Sequence, residues 1–409
     1  MMHGVGRSSP GPAGLRDPAA PQDVTAPRAR TSGGWRELRL PLLVWAGSRA
    51  LLMGLVVLVG AVRGLPPATM VREPGGRWLE LFTWFDSEHY LSIARGGYSR
   101  TCCEQAFLPG YPLVVRAVAP LVGGRPALAG LLVSTLASCV AAVLLYRLAA
   151  GWTGGGRRAG VTAVVLLAAH PEGGFLTSVY GESLFLACAL GAWLAGRDRR
   201  WWLAGVLGAA ACGLRVNGAF LVGGLAVLYA VQARRDGRRV PRVDVLALAL
   251  GPAVLAAFLA HLHAVTGSWN AWSQAQTQGW DRHLDWPWTT ILGSVWTVRH
   301  ADGVPLGSLV LSLADLGAVT VGTAFCAWLL RRRHWPEAAY LALNLASLAF
   351  SNQLTSSLRY SLAWFPVVLV LAGTTDRPAG RRLCAALAVV GVPVLVFTAL
   401  AFSMHDFVG

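Results

Sequence analysis

Ionisable side chains are scarce in this sequence, and several that interrupt its apolar runs are of the types that move protons and bind phosphate. In the run Trp84-Phe85-Asp86-Ser87-Glu88-His89-Tyr90, two carboxylates stand two residues apart. A positioned carboxylate can serve as a general base. Side chains at i and i+2 do not face each other on a helix, so a joint role for Asp86 and Glu88 requires Asp86 to precede the helix that follows. The competing role for Asp86 is a plain helix N-cap. More acidic residues occur in His170-Pro171-Glu172 and in Tyr180-Gly181-Glu182. Glu182 falls in an apolar stretch, where a carboxylate costs about 2.5–3.5 kcal/mol unless it meets a cavity or a partner. An ion pair that merely holds helices together would satisfy it equally. Two arginines complete the set: Arg215, with Asn217 close behind it, and Arg359, followed by Tyr360. A guanidinium matches a phosphate through paired N–H donors, while snorkelling to an interface is its ordinary use. Between Trp269 and Trp288, Gln274, Trp280 and Arg282 lie among rings and amides that suit sugar faces and hydroxyls. Tryptophan is also the common residue of a membrane interface.

A membrane bundle must position these residues. The 409 residues are 55% hydrophobic and only 13% charged, with a mean hydropathy of +0.51; ordinary soluble chains carry about 25% charged residues. That excludes a soluble globular fold and makes the chain an all-α polytopic membrane protein. The net charge of +15 would point to nucleic acid in a soluble chain, but here the arginines recur in short clusters between apolar runs. Clusters at 157–158, 197–200, 234–242, 331–333 and 377–382 therefore read as cytoplasmic turns under the positive-inside rule, with no nucleic-acid partner. The basic residues are all arginine, which fits a GC-rich bacterial genome. Successive clusters must be separated by an even number of crossings. Spans near 41–62, 127–149, 159–172, 174–196, 200–214, 216–233, 243–264, 305–330, 337–352, 356–374 and 383–403 meet that condition. The expected bundle has about eleven transmembrane helices, with the N-terminus cytoplasmic.

Residues 1–38, rich in Pro, Gly and Arg, are expected to form a disordered cytoplasmic tail, and 39–405 the membrane domain. Two long segments, 63–126 and 265–303, fall on the extracytoplasmic side and are long enough to be functional. In the first, Tyr90, Ile93, Ala94 and Gly97 share one face of an expected interfacial helix. Phe107-Leu108-Pro109-Gly110-Tyr111-Pro112 reads as a rigid link after it. Parity was set by the arginine clusters, yet it places Asp86, Glu88, Glu172, Arg215, Gln274, Arg282 and Arg359 on one side, as a single site would. Arg49, Arg116 and Arg147 are assigned no role. Cys102 and Cys103 are adjacent, a spacing that rarely suits a mutual disulfide, and no zinc or redox spacing occurs.

The ordered set of motifs resembles the PIG-V-type (GPI mannosyltransferase 2-like) membrane mannosyltransferases of the GT-C glycosyltransferase class. The matching stretches are FDSEHYLSIARGGY (85–98), FLPGYPL (107–113), HPEGGFLTSVYGESLF (170–185), LRVNG (214–218), SQAQTQGWDRHLDWPW (273–288) and SLRYSLAWFP (357–366). The resemblance implies a GT-C-type bundle with interfacial helices in the first long loop. It implies a polyprenyl-phosphate sugar donor, usually the mannose derivative, and a lipid or glycan acceptor on the extracytoplasmic or lumenal side. Asp86 takes the place of the catalytic base, with Glu88 second; Arg215 and Arg359 are expected to bind the donor phosphate. His89, Tyr90, His170, Glu172, Tyr180, Glu182, Asn217, Gln274, Trp280, Arg282 and Tyr360 are expected to bind substrate or support those that do. A monophosphate leaving group makes a divalent metal possible but not required. Eukaryotic members usually carry Trp-Asp where this chain has Phe85-Asp86, and Asn where it has His170. A bacterial-type member would sit in the plasma membrane, a eukaryotic one in the endoplasmic reticulum. The competing class is a transporter or flippase for an anionic lipid-linked sugar, which would place ionisable residues along a path through the midplane.

Overall fold

The computed structural model describes residues 35–64, 76–152, 155–237, 242–299 and 306–406. Its first half runs through α1 (Trp35–Arg63), α2 (Asp86–Gly96), α3 (Gly110–Val118), α4 (Pro126–Ala150), α5 (Gly156–Ala168), α6 (Glu182–Arg197), α7 (Trp201–Leu214) and α8 (Asn217–Arg235). The second half holds α9 (Leu250–Thr266), α10 (Ala271–Trp280), α11 (Pro287–Arg299), α12 (Leu306–Arg331), α13 (Trp335–Ala349), α14 (Ser357–Tyr360), α15 (Phe365–Gly373) and α16 (Pro378–Ser403). Proline in the first turn starts α4, α13 and α16, where a missing N–H costs nothing. Gly267 ends α9 in the left-handed region at φ 81°. Strand structure among the described residues is limited to one isolated bridge, Leu284 to Ser351.

Five helical segments are long and apolar enough to cross a membrane: Arg36–Arg63, Pro126–Ala150, Val243–Thr266, Leu309–Arg331 and Pro378–Ser403. Ser357–Ala363 and Phe365–Asp376 add a sixth if taken together, bent by 69°. Length and apolarity alone thus do not confirm the expected count of eleven among the described residues. Each predicted span overlaps a helix, but α5, α6, α7 and α13 have only 13, 16, 14 and 15 residues. The protein is an all-α, multi-pass membrane protein in which neighbouring helices shield the short ones. Residues 1–34 of the expected tail lie outside the described residues, and 35–38 already belong to α1.

Small residues let the helices approach closely, the packing that serves where lipid supplies no hydrophobic drive between them. α4 turns Ser134, Ala137, Ser138, Ala141 and Ala142 inward, and packs on α5 and α6. α7 buries Ala204, Gly205, Gly208 and Ala211 and lies against α6, α8 and α9. Gly110, at the start of α3, touches the α7 backbone so closely that a Cβ would stand 2.6 Å from the Gly213 carbonyl oxygen. The aromatic core of Trp45, Tyr111, Tyr180, Trp193, Tyr340 and Phe365 is almost completely buried. The sulfurs of Cys102 and Cys103 are paired, contrary to expectation, and Cys103 lies against Gly279 beside α10.

Candidate active site

Asp86 is the first residue of α2, and Phe85 rather than Asp86 occupies the N-cap position. Asp86 therefore neither caps α2 nor precedes it, and the condition for a joint role with Glu88 is not met. Phe85 has φ 57° and ψ −121°, and the Ser87 N–H donates to the Trp84 carbonyl at 3.3 Å. This is a turn of type II′ with phenylalanine where glycine is usual, a conformation that costs about 1–3 kcal/mol and persists only when its surroundings enforce it. They do so here. The Phe85 ring packs on Phe402 and His405 at 5.8 and 5.3 Å between centroids, Trp84 stacks on His405 at 4.2 Å, and the Tyr180 hydroxyl donates to the Trp84 carbonyl at 3.0 Å. At the other end of α2, Arg116 donates to the carbonyls of Ala94 and Ile93 at 2.7 and 2.9 Å. A cation on these last carbonyls caps the helix and complements its dipole.

Into the space before Asp86 comes Arg359, from α14. Its Nη2 donates to Asp86 Oδ2 at 2.6 Å and its Nε to Glu182 Oε1 at 2.9 Å. Glu182, in the first turn of α6, also accepts from Arg215 Nη1 at 2.6 Å on the same oxygen. The guanidinium of Arg359 covers the rings of Phe175 and Tyr180, at 4.9 and 5.1 Å from the centroids. Arg215 covers Tyr360 at 5.5 Å. Arg282 donates to the Tyr360 hydroxyl at 2.7 Å and to the Thr355 carbonyl at 2.9 Å, so the 281–299 segment is pinned to α14. Exposure of 12% for Arg359 and 4% for Glu182 means that water screens these pairs little. A cleft beside them is walled by Phe185, Leu186, Leu362 and Ala363, with Glu182, Arg215, Arg359 and Tyr360 as its polar edge.

Asp315 holds α14 in place. It lies buried within the apolar run of α12, and its Oδ1 accepts the Leu358 N–H at 2.9 Å. Sequence reasoning missed it, although an acid inside such a run is the available signal. Arg49 was likewise set aside. It is buried, donates to the carbonyls of Gly173 at 2.7 Å and of Ala168, and so closes the end of α5 and the loop after it. Arg116, also assigned no role, caps α2 as described.

The other expected residues divide. Glu88 is half-buried and, among the described residues, no side-chain hydrogen bond or ion pair joins it to Asp86 or to the arginines. His89 stacks on Phe107 at 4.8 Å and tilts against Trp280 at 5.5 Å, forming an aromatic corner one residue from Tyr90. Tyr90 is buried edge-on to Tyr111 and Tyr180. His170 Nδ1 accepts the Glu172 N–H at 3.1 Å, so Nε2 carries the proton and donates to Ser361 at 2.9 Å. Asn217 and Gln274 do not join the cluster. Asn217 donates to Asn344 between α8 and α13, and Gln274 is exposed and accepts from Ser268.

Glu172 is 1% exposed, both of its carboxyl oxygens lack a hydrogen-bond partner among the described residues, and Leu52, Met53, Phe82, Phe175 and Phe402 line the crevice beside it.

The family described as mannosyltransferase (PIG-V) matches residues 50–234. GPI alpha-1,6-mannosyltransferase 2 of Cricetulus griseus is 36% identical over 148 residues, covering 34% of this chain and 30% of that protein. The proteins of the same name from Rattus norvegicus and Mus musculus are each 35% identical over 148 residues, with the same coverage. The chain thus aligns with under a third of the length of these curated relatives. The crystal structure of the Archaeoglobus fulgidus oligosaccharyltransferase superposes with a TM-score of 0.46 at 14% identity, covering 87% of this chain and 53% of that one. Arg282 and Arg359 lie beyond the matched region. Residues 50–234, which hold Asp86, Glu182 and Arg215, carry the sequence pattern of the PIG-V mannosyltransferase family.

Proposed function

We propose that the protein is an integral membrane glycosyltransferase of GT-C type. It moves a sugar, most simply mannose, from a polyprenyl-phosphate donor to a hydroxyl of a lipid or glycan acceptor, on the extracytoplasmic face of the plasma membrane. The observation that carries this reading is the chain of contacts Asp86–Arg359–Glu182–Arg215, built from four segments far apart in sequence. Asp86 takes the proton of the acceptor hydroxyl as its oxygen bonds to the sugar C1. The bond from C1 to the phosphate oxygen breaks, and its electron pair leaves with the polyprenyl phosphate. Arg215 and Arg359 stabilise that charge through planar donors, the geometry that suits phosphate. The apolar walls of the cleft suit the isoprenoid chain next to it. His89, Phe107 and Trp280 offer ring faces on the Asp86 side for the acceptor.

A transporter would spread its ionisable groups along a path through the membrane. The 2.6 Å contact between Asp86 and Arg359 favours the enzyme. The test is donor choice. Protein in nanodiscs should transfer label from polyprenyl-phosphomannose to a glycolipid extract and should not use a nucleotide-linked mannose. Transfer from the nucleotide sugar alone, or movement of the lipid-linked sugar between leaflets without transfer, would refute the reading.

A further inference from the structure

The cluster is electrically closed. Asp86 and Glu182 supply two negative charges and Arg215 and Arg359 two positive ones, in direct contact. The Nε and Nη2 donors of Arg359 form one edge of the guanidinium, and both are occupied, by Glu182 and Asp86 respectively. A phosphate can take that edge only by displacing a carboxylate. The two carboxylates are not equally held. Glu182 is 4% exposed, and its Oε1 is shared by both arginines. Asp86 is 16% exposed, is bonded to one arginine among the described residues, and stands at the very start of its helix.

We propose that the Asp86–Arg359 pair is an autoinhibitory latch, opened when the phosphate of an anionic lipid takes Arg359 Nη2 and sets the Asp86 carboxylate free. A carboxylate oxygen that already accepts from a guanidinium is not open to an acceptor hydroxyl, and exchanging that contact for a phosphate uncovers it only when the donor is in place. Binding is therefore ordered, donor before acceptor. The latch rests on the glycosyltransferase reading and adds to it a competition between base and substrate for one arginine.

That competition has an unusual sign. Removing the Asp86 charge should tighten the binding of an anionic lipid, whereas a residue that only positioned Arg359 would weaken binding when lost. The probe is polyprenyl phosphate, with uncharged polyprenol as control, titrated into nanodiscs holding wild type, Asp86→Asn or Asp86→Ser. For a partly buried charge pair the gain should be about tenfold in Kd for the phosphate, with none for the alcohol. Asp86→Asn keeps an oxygen that accepts from Arg359; should it fold poorly, Asp86→Ser carries the same expected sign. Equal or weaker phosphate binding by the folded variant would sink the latch while leaving transfer by the wild type to support the enzyme. If the wild type neither binds the phosphate nor transfers sugar, both readings fall.

Discussion

Asp86→Asn should lower sugar transfer by about 10²–10⁴-fold, the usual worth of a positioned general base, while the protein still assembles in the membrane. The carboxamide oxygen can accept from Arg359 Nη2 as Asp86 Oδ2 does at 2.6 Å, so the link between α2 and α14 survives. What is lost is the ability to take up a proton. Single-turnover measurements separate the two roles: with saturating donor the rate of the chemical step should fall while donor affinity does not. A variant with near-normal turnover would remove Asp86 from the mechanism. A loss confined to donor affinity would recast it as a binding residue.

The largest effect on stability is expected at Glu182. Its Oε1 accepts from Arg215 at 2.6 Å and from Arg359 at 2.9 Å, in a setting where all three side chains are nearly buried. Glu182→Leu leaves Arg215 without its carboxylate and brings two guanidinium groups together unshielded. Removing one partner of a buried pair costs about 3–5 kcal/mol, because the remaining charge stays desolvated. Thermal unfolding in detergent should show a steep drop. Adding Arg215→Met to Glu182→Leu should restore part of the loss, since an apolar pair can replace a buried ion pair at little cost. If the single variant melted like wild type, the pair would be peripheral to the fold.

The candidate site was legible in part where a charge fell against an apolar run: Glu182 by its cost there, Arg215 and Arg359 by standing outside against the positive-inside trend, while Asp86 stood out by its motif in the first long loop, and the structure brings those four into contact. Polarity alone does not name a partner, however. Asn217 was expected to bind substrate or support Arg215 two residues away, yet it faces Asn344 in another helix pair, and Gln274 faces solvent. Arg49, Arg116 and Asp315 were passed over because their partners are backbone groups of remote segments, which leave no mark in residue type. The bundle was legible as a class and not as a count. An apolar helix of 13 to 16 residues reads the same whether lipid or protein surrounds it, and only packing decides. Nor could the sequence announce the turn at Phe85, since a bulky ring stands where such a turn usually takes glycine.

That turn sets two demands against each other. A glycine at position 85 would relieve the backbone at no steric cost, but Phe402 and His405 would lose the ring that wedges the start of α2. Because the packing of that ring holds the strained turn in place, its loss outweighs the strain relieved, and Phe85→Gly loosens both the fold and the aim of Asp86.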